Sequence, residues 1–168
     1  MADWMLNLQE DRLSKLTGSY VIAIELDEEF VGFVGKLGKI FLKPGHYLYF
    51  GSARGPGDIG ARIKRHLSAN KKIHWHIDRI TLAGRVVEFL IAPDASECSL
   101  RKKAMALSKL TVAGRGFGSS DCRLCPAHFL TVPNNSRLLL TKLSKTVDGE
   151  VYSVPSLLPM TAAQPSTV

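Results

Sequence analysis

Between residues 18 and 51 the chain repeats one pattern: a short segment rich in Val, Ile, Tyr and Phe, then a turn signal. Residues 18–26 read as a strand, and Asp27-Glu28-Glu29 as a turn. Phe30 to Val34 and Lys39 to Leu42 read as two short strands separated by Gly35 and Gly38. Lys43-Pro44-Gly45 is a further turn, because Pro presets one backbone angle and Gly permits the other. Tyr47 to Gly51 is the next strand. Segments this short, joined by turns this tight, make a run of antiparallel strands.

The remainder adds helices. Asp58 is placed to cap a helix running to about Asn70, with Ile59, Ile63 and Leu67 recurring on its core face. Residues 74–81 fit strand or helix. If they are extended, His74, His76 and Asp78 share a face. Val86 to Ile91 is a buried strand ended by Pro93, and Ser96 is placed to cap a helix from Glu97 to about Leu110. Leu100, Met105, Leu107 and Leu110 are its apolar positions. A glycine-rich loop, Gly114 to Gly118, precedes a strand at Phe129 to Val132, and Leu138 to Leu143 suits either strand or helix. The expected class is α+β, a small antiparallel sheet flanked by helices. Residues 1–17 are expected to be a helical extension packing Trp4, Leu8 or Leu13 on a domain spanning 18–155, and 156–168 a disordered tail.

A length of 168 residues with 45% hydrophobic and 22% charged content suits one globular domain with a real core. No apolar run is long enough to span a bilayer, and the N-terminus lacks the apolar centre of a signal peptide, so a cytoplasmic location is expected. Three cysteines, an odd number, argue against a disulfide framework. The net charge of +7 favours a polyanionic partner, since phosphate contacts supply most nucleic-acid affinity. A basic protein without such a partner is the plain alternative. The clustering carries more weight than the total: Arg62, Lys64, Arg65, His66, Lys71 and Lys72 fall close together, with Arg54 just before them and Arg101, Lys102 and Lys103 further on.

One ordered series joins chemistry to this frame. Gly18-Ser19-Tyr20 opens the first strand, Tyr49-Phe50-Gly51 closes another, Arg62 and His66 lie one turn apart on the basic helix, and Glu97 opens a later helix. A phenol can orient or deprotonate water, a guanidinium can bind phosphate oxygens, and a carboxylate can hold a metal ion. The series resembles the GIY-YIG nuclease family, and more narrowly its Uri-type branch. "GSYVIAIEL", "VGKLGKIFLKPGHYLYFGSA", "ARIKRHL", "KKIHWHID" and "GFGSSDCRLCPAHFL" carry the resemblance. The motifs read Gly-Ser-Tyr and Tyr-Phe-Gly here, and the interval from Tyr20 to Tyr49 is longer than in typical members, consistent with an inserted hairpin.

The resemblance implies a DNA-cleaving endonuclease whose two tyrosine strands are neighbours. Tyr20 takes the place of the first-motif tyrosine and Tyr49 of the second. Arg62 and His66 would act on the phosphate, and Glu97 would hold Mg²⁺ or Mn²⁺. Tyr47 competes with Tyr49, Arg65 with Arg62, and Glu88 with Glu97. Each residue also has an ordinary reading: strand tyrosines pack, helical arginines face solvent, and an acid in a first helical turn favours the macrodipole.

Cys122, Cys125 and His128 have C-x2-C-x2-H spacing. A zinc ion would need a fourth ligand, for which His74, His76 and Cys98 are candidates, His74 being the one carried forward. Packing as small buried groups and a redox pair are the alternatives. Gly55, Gly57 and Gly60 match a dinucleotide fingerprint only in spacing, because the preceding strand ends too early and Pro56 occupies the turn.

Overall fold

The computed structural model describes residues 12–155. In order, the chain forms β1 (Ser19–Leu26), β2 (Phe30–Phe33), β3 (Lys39–Leu42), β4 (Gly45–Ser52), α1 (Ile59–Leu67) and α2 (His76–Ala83). It continues through β5 (Arg85–Ala92), α3 (Glu97–Leu107), β6 (Thr111–Val112), β7 (Phe129–Val132), α4 (Ser136–Val147) and β8 (Glu150–Ser153). Six strands form one sheet in the order β6-β7-β4-β1-β5-β8, every pair antiparallel. The fold is α+β. β2 and β3 stand apart as a separate hairpin, at the place where the longer interval between the tyrosines suggested an insertion.

β1 is buried along nearly its whole length because it is paired on both edges and covered on both faces. That explains why its sequence alternates only partly. One face carries Tyr20, Ile22, Ile24, Tyr47 and Phe89 against Ile59 and Ile63 of α1 and Ile77 and Ile80 of α2. The other carries Val21, Ala23, Leu48, Phe50 and Leu90 against Leu100 and Ala104 of α3 and Leu139, Leu140 and Leu143 of α4.

The helices are shorter than their sequence suggests. α1 stops at Leu67, where the backbone turns extended at Ser68. Asp58 caps it as expected, accepting from Ala61 N at 2.7 Å, and also ties down Lys15 N at 3.0 Å. α3 stops at Leu107, and only Leu100 and Ala104 are buried in it. Of the apolar positions read on this helix, Met105 and Leu107 are exposed, while Leu110 is buried beyond the helix end. Residues 76–81 are helical rather than extended, so His74, His76 and Asp78 do not share a strand face. The run at 138–143 is helical, capped by Asn135, with Leu138 outward. The short strands β6 and β8 carry no sequence signal that distinguishes them from loop. Leu13 packs into the core, whereas Trp4, Leu8 and the tail lie outside the described residues. No helix among the described residues is long and apolar enough to cross a membrane.

Candidate functional site

Tyr20, Tyr49, Arg62 and Glu97 come from four separate elements and line one cavity of about 450 Å³. β1 and β4 are neighbours, with Tyr20 opposite Gly51 and Ile22 opposite Tyr49. Gly51 is required by a close approach: a Cβ there would stand 2.4 Å from Cζ of Tyr20. Tyr49 meets the same constraint from above, since a Cβ at Gly118 would stand 2.6 Å from its ring. Gly118 also has φ +69°, which L side chains rarely adopt. Tyr47 faces the same side as Tyr49 but is buried, donating its hydroxyl to the Lys43 carbonyl oxygen at 2.6 Å.

Both site phenols are held in the protonated form. Burial pushes Tyr49 up to about 12, with Arg62 pulling the other way. Burial and then Tyr49 raise Tyr20 well above the ordinary phenol value. His66 lies beneath them, buried, with Nε2 2.8 Å from the Tyr20 hydroxyl. Burial, reinforced by the Lys71 ammonium, lowers its pKa to about 3, so the ring is neutral near pH 7. An Nε2–H tautomer donates to Tyr20 and leaves the phenolic proton free for a ligand, whereas an Nδ1–H tautomer accepts that proton.

A neutral buried histidine makes stability pH-dependent. In the unfolded chain it protonates below about pH 6.5, while in the folded chain it resists to about pH 3. The contribution is complete above the unfolded value and is lost as pH falls through that window. Between pH 7 and pH 4 the parent should therefore lose up to about 3 kcal/mol more than His66→Gln, measured by urea unfolding at each pH. Parallel pH profiles would show that His66 is not held neutral.

Arg62 is positioned by a stack. Its guanidinium carbon lies 4.4 Å from the Trp75 ring centroid, and that of Arg65 lies 4.8 Å from the same centroid. Arg65 pairs with the fully buried Asp78 at 2.6 Å. Burial opposes ionisation of Asp78. The Arg65 hydrogen bond and the backbone N–H groups of Trp75 and His74 outweigh it and hold the carboxyl below its usual range. Arg62 also donates to the Pro56 carbonyl at 3.0 Å. The sequence signal for this arrangement was the aromatic between two histidines in "HWHID", which composition alone does not separate from core packing.

The residues expected to contact nucleic acid divide. Arg65 is committed to Asp78, and Lys71 donates to the carbonyl oxygens of Arg65 and His66 and to the Thr81 hydroxyl, at the end of α1. Arg54 is exposed and donates to the Ala95 carbonyl at 2.9 Å. Lys64 and Lys72 are exposed.

Glu97 opens α3 directly after its cap, Ser96, whose hydroxyl accepts from Ser99 N at 3.1 Å. The Ser19 hydroxyl donates to a Glu97 carboxylate oxygen at 3.4 Å. Glu88, its competitor in the sequence, is buried on the opposite sheet face, 3.5 Å from Arg137.

Beside Glu97, Cys98 points into a second group. Ligand atoms of Cys98, Cys122, Cys125 and His128 all lie within 4.8 Å of one another, so this group could hold a metal ion. Cys98, rather than His74, completes the set. His74 lines the cavity but is not a member. The Cys98 sulfur is 3.4 Å from that of Cys122 and 3.6 Å from Nε2 of His128. A zinc tetrahedron with sulfur arms of about 2.3 Å has edges of about 3.8 Å, so the donor set and spacing fit that ion. The thiols are not disulfide-bonded. Burial, then hydrogen bonds to Cys122 and Cys125, push the Cys98 thiol up to about 12. Cys122 and His128 also line the cavity, so the two constellations adjoin.

A family model described as a domain of unknown function, DUF123, matches residues 19–149. No curated protein and no solved structure matches the chain.

Proposed function

The chain belongs to the DUF123 family, and from the geometry of its cavity we propose that it is a divalent-metal-dependent endonuclease of the GIY-YIG type, hydrolysing DNA phosphodiester bonds. The observation that carries this reading is the meeting of Tyr20, Tyr49, Arg62 and Glu97 in one cavity despite their separation in sequence. At roughly 30 Å³ per water, 450 Å³ accommodates a phosphate together with a hydrated ion. Arg62 binds the phosphate through its planar fork, kept aimed by the Trp75 stack. Both phenols stay protonated, so they orient the attacking water by hydrogen bonds, and His66 fixes the hydroxyl of Tyr20. Glu97 offers one hard oxygen ligand, suited to Mg²⁺ or Mn²⁺. Such an ion supplies Lewis-acid stabilisation of the leaving oxygen. Cys98, Cys122, Cys125 and His128 would hold a structural zinc ion that fastens the loop bearing Gly118 to α3.

The second reading is a non-catalytic nucleic-acid-binding module with the same Cys/His clip. The basic charge favours both readings equally. Incubating the full chain with duplex, branched and single-stranded DNA, with and without Mg²⁺ or Mn²⁺, separates them. Metal-dependent nicking supports the enzyme. Salt-sensitive binding without any cleavage supports the module. Neither binding nor cleavage at low salt removes both.

A further inference from the structure

The β2–β3 hairpin turns a face of large apolar side chains to solvent. Val31 is 45% exposed, Phe33 68% and Phe41 60%. Val31 pairs with Phe41 and Phe33 with Lys39, so these four side chains lie on one face of the ribbon. The opposite face is packed: Phe30 and Ile40 rest against the core, and Leu42 is part of it. Two exposed phenylalanines on adjacent strands are unlike the singly scattered apolar residues of ordinary surfaces.

The hairpin is also fixed against the cavity. At its turn Gly35 approaches the His76 ring so closely that a Cβ would stand 2.6 Å from Nε2, and His76 lines the cavity. Leu37 lies against Gly116 and Ile40 against Gly114, in the loop that carries Gly118 over Tyr49. Charge is unevenly placed along the ribbon. Exposed Lys36 and Lys39 sit at the turn end, beside the cavity. Exposed Glu28 and Glu29 sit at the far end, where Lys43 offsets them only in part.

We propose that Phe33 and Phe41 form a stacking platform for unpaired nucleobases, with Lys36 and Lys39 on the adjoining phosphates. The occupant is a single-stranded stretch of the same nucleic acid whose phosphate enters the cavity. Aromatic faces bind unpaired bases without sequence preference, while paired bases inside a duplex do not present their faces. Cations at the turn end and acids at the far end direct the backbone toward the cavity. The proposal rests on the nuclease reading for the identity of the polymer. It narrows the substrate to DNA with an unpaired segment next to the scissile bond.

The test measures fluorescence anisotropy with the full chain in buffer without Mg²⁺, Mn²⁺ or chelator, so that cleavage plays no part and any zinc on the Cys/His group is kept. The probes are a single-stranded oligonucleotide, a flap duplex and a fully paired duplex. Phe33→Ala/Phe41→Ala should weaken binding to the single-stranded and flap probes about tenfold or more, and to the paired duplex by less than about twofold. Phe33→Tyr/Phe41→Tyr should restore binding, because it keeps the rings. Leu138→Ala, at an exposed position on α4, should bind as the parent. Melting temperatures of all variants should match, since both phenylalanines are already exposed.

Equal losses on all three probes, or none on any, would overturn the platform. So would a parent that dimerises in sedimentation and a double alanine variant that is monomeric with unchanged affinity, which would assign the face to a second copy. A parent that never nicks DNA yet shows the probe-selective loss would refute the nuclease reading and leave the platform standing. A parent that nicks flap DNA no slower in the alanine variant would do the reverse.

Discussion

Glu97→Gln should reduce metal-dependent nicking by about a hundredfold or more while leaving folding and most DNA affinity intact. Gln is a comparable helix former, and the Ser96 cap does not involve the Glu97 side chain. The substitution therefore removes one negative charge from the cavity and little else. Tyr49→Phe removes one hydroxyl from a ring that stays packed under Gly118, and should lower the rate by a similar order. Arg62→Lys keeps the charge but loses both the fork and the stack on Trp75, so it should weaken cleavage more than binding. Nicking and anisotropy on the same preparations decide the matter. Parent-like cutting by Glu97→Gln would remove Glu97 from the metal role. Loss of cutting and of binding together would point to misfolding or to a purely DNA-holding site.

Removal of the Cys/His metal should have the largest effect on stability. Protein purified without added metal should carry about one zinc per chain by elemental analysis. Cys122→Ser should lower that content and destabilise the fold by several kcal/mol, because forming a structural zinc site is coupled to folding. Chelation should produce the same loss in the parent, reversed by zinc. Cys98 adjoins Glu97 and His128 lies beside the loop over Tyr49, so zinc-depleted protein should also nick slowly, although the zinc takes no part in the chemistry. His74→Ala should leave zinc content unchanged. Zinc-free parent protein of full stability would return the cysteines to ordinary packing.

Sequence order was enough to place β1, β4, β5 and β7, because each strand is a β-branched or aromatic run bounded by its own turn signal, and to single out Tyr20, Tyr49, Arg62 and Glu97 among the residues that line the cavity. Other features lay beyond local pattern. Residues 138–143 are a run of leucines broken by Thr141 and Lys142, and only the partners on β5 and β4 make it a helix. Met105 and Leu107 stay exposed among the described residues, a fact of tertiary layout that their apolar character does not reveal. The fourth member of the Cys/His group was undecidable for the same reason. His74 and Cys98 are both remote in sequence from Cys122, and only the placement of α3 selects Cys98. The double duty of Arg65, counted in the sequence among DNA-facing cations, depends on the buried Asp78 that a strand reading of 74–81 concealed.

The contact of two arginines with Trp75 gives the protein an optical gauge of its own. Trp75 is one of two tryptophans in the chain, and two guanidinium groups lie over its ring at the wall of the cavity. Indole emission responds to the charge held against its ring. An anion that draws the Arg62 guanidinium away changes the field across the indole at once, whether or not any bond is cut. With Trp4 replaced by Phe, the remaining emission reports arrival at the cavity as an event separate from turnover. The order of capture and chemistry can thus be followed in an unlabelled molecule.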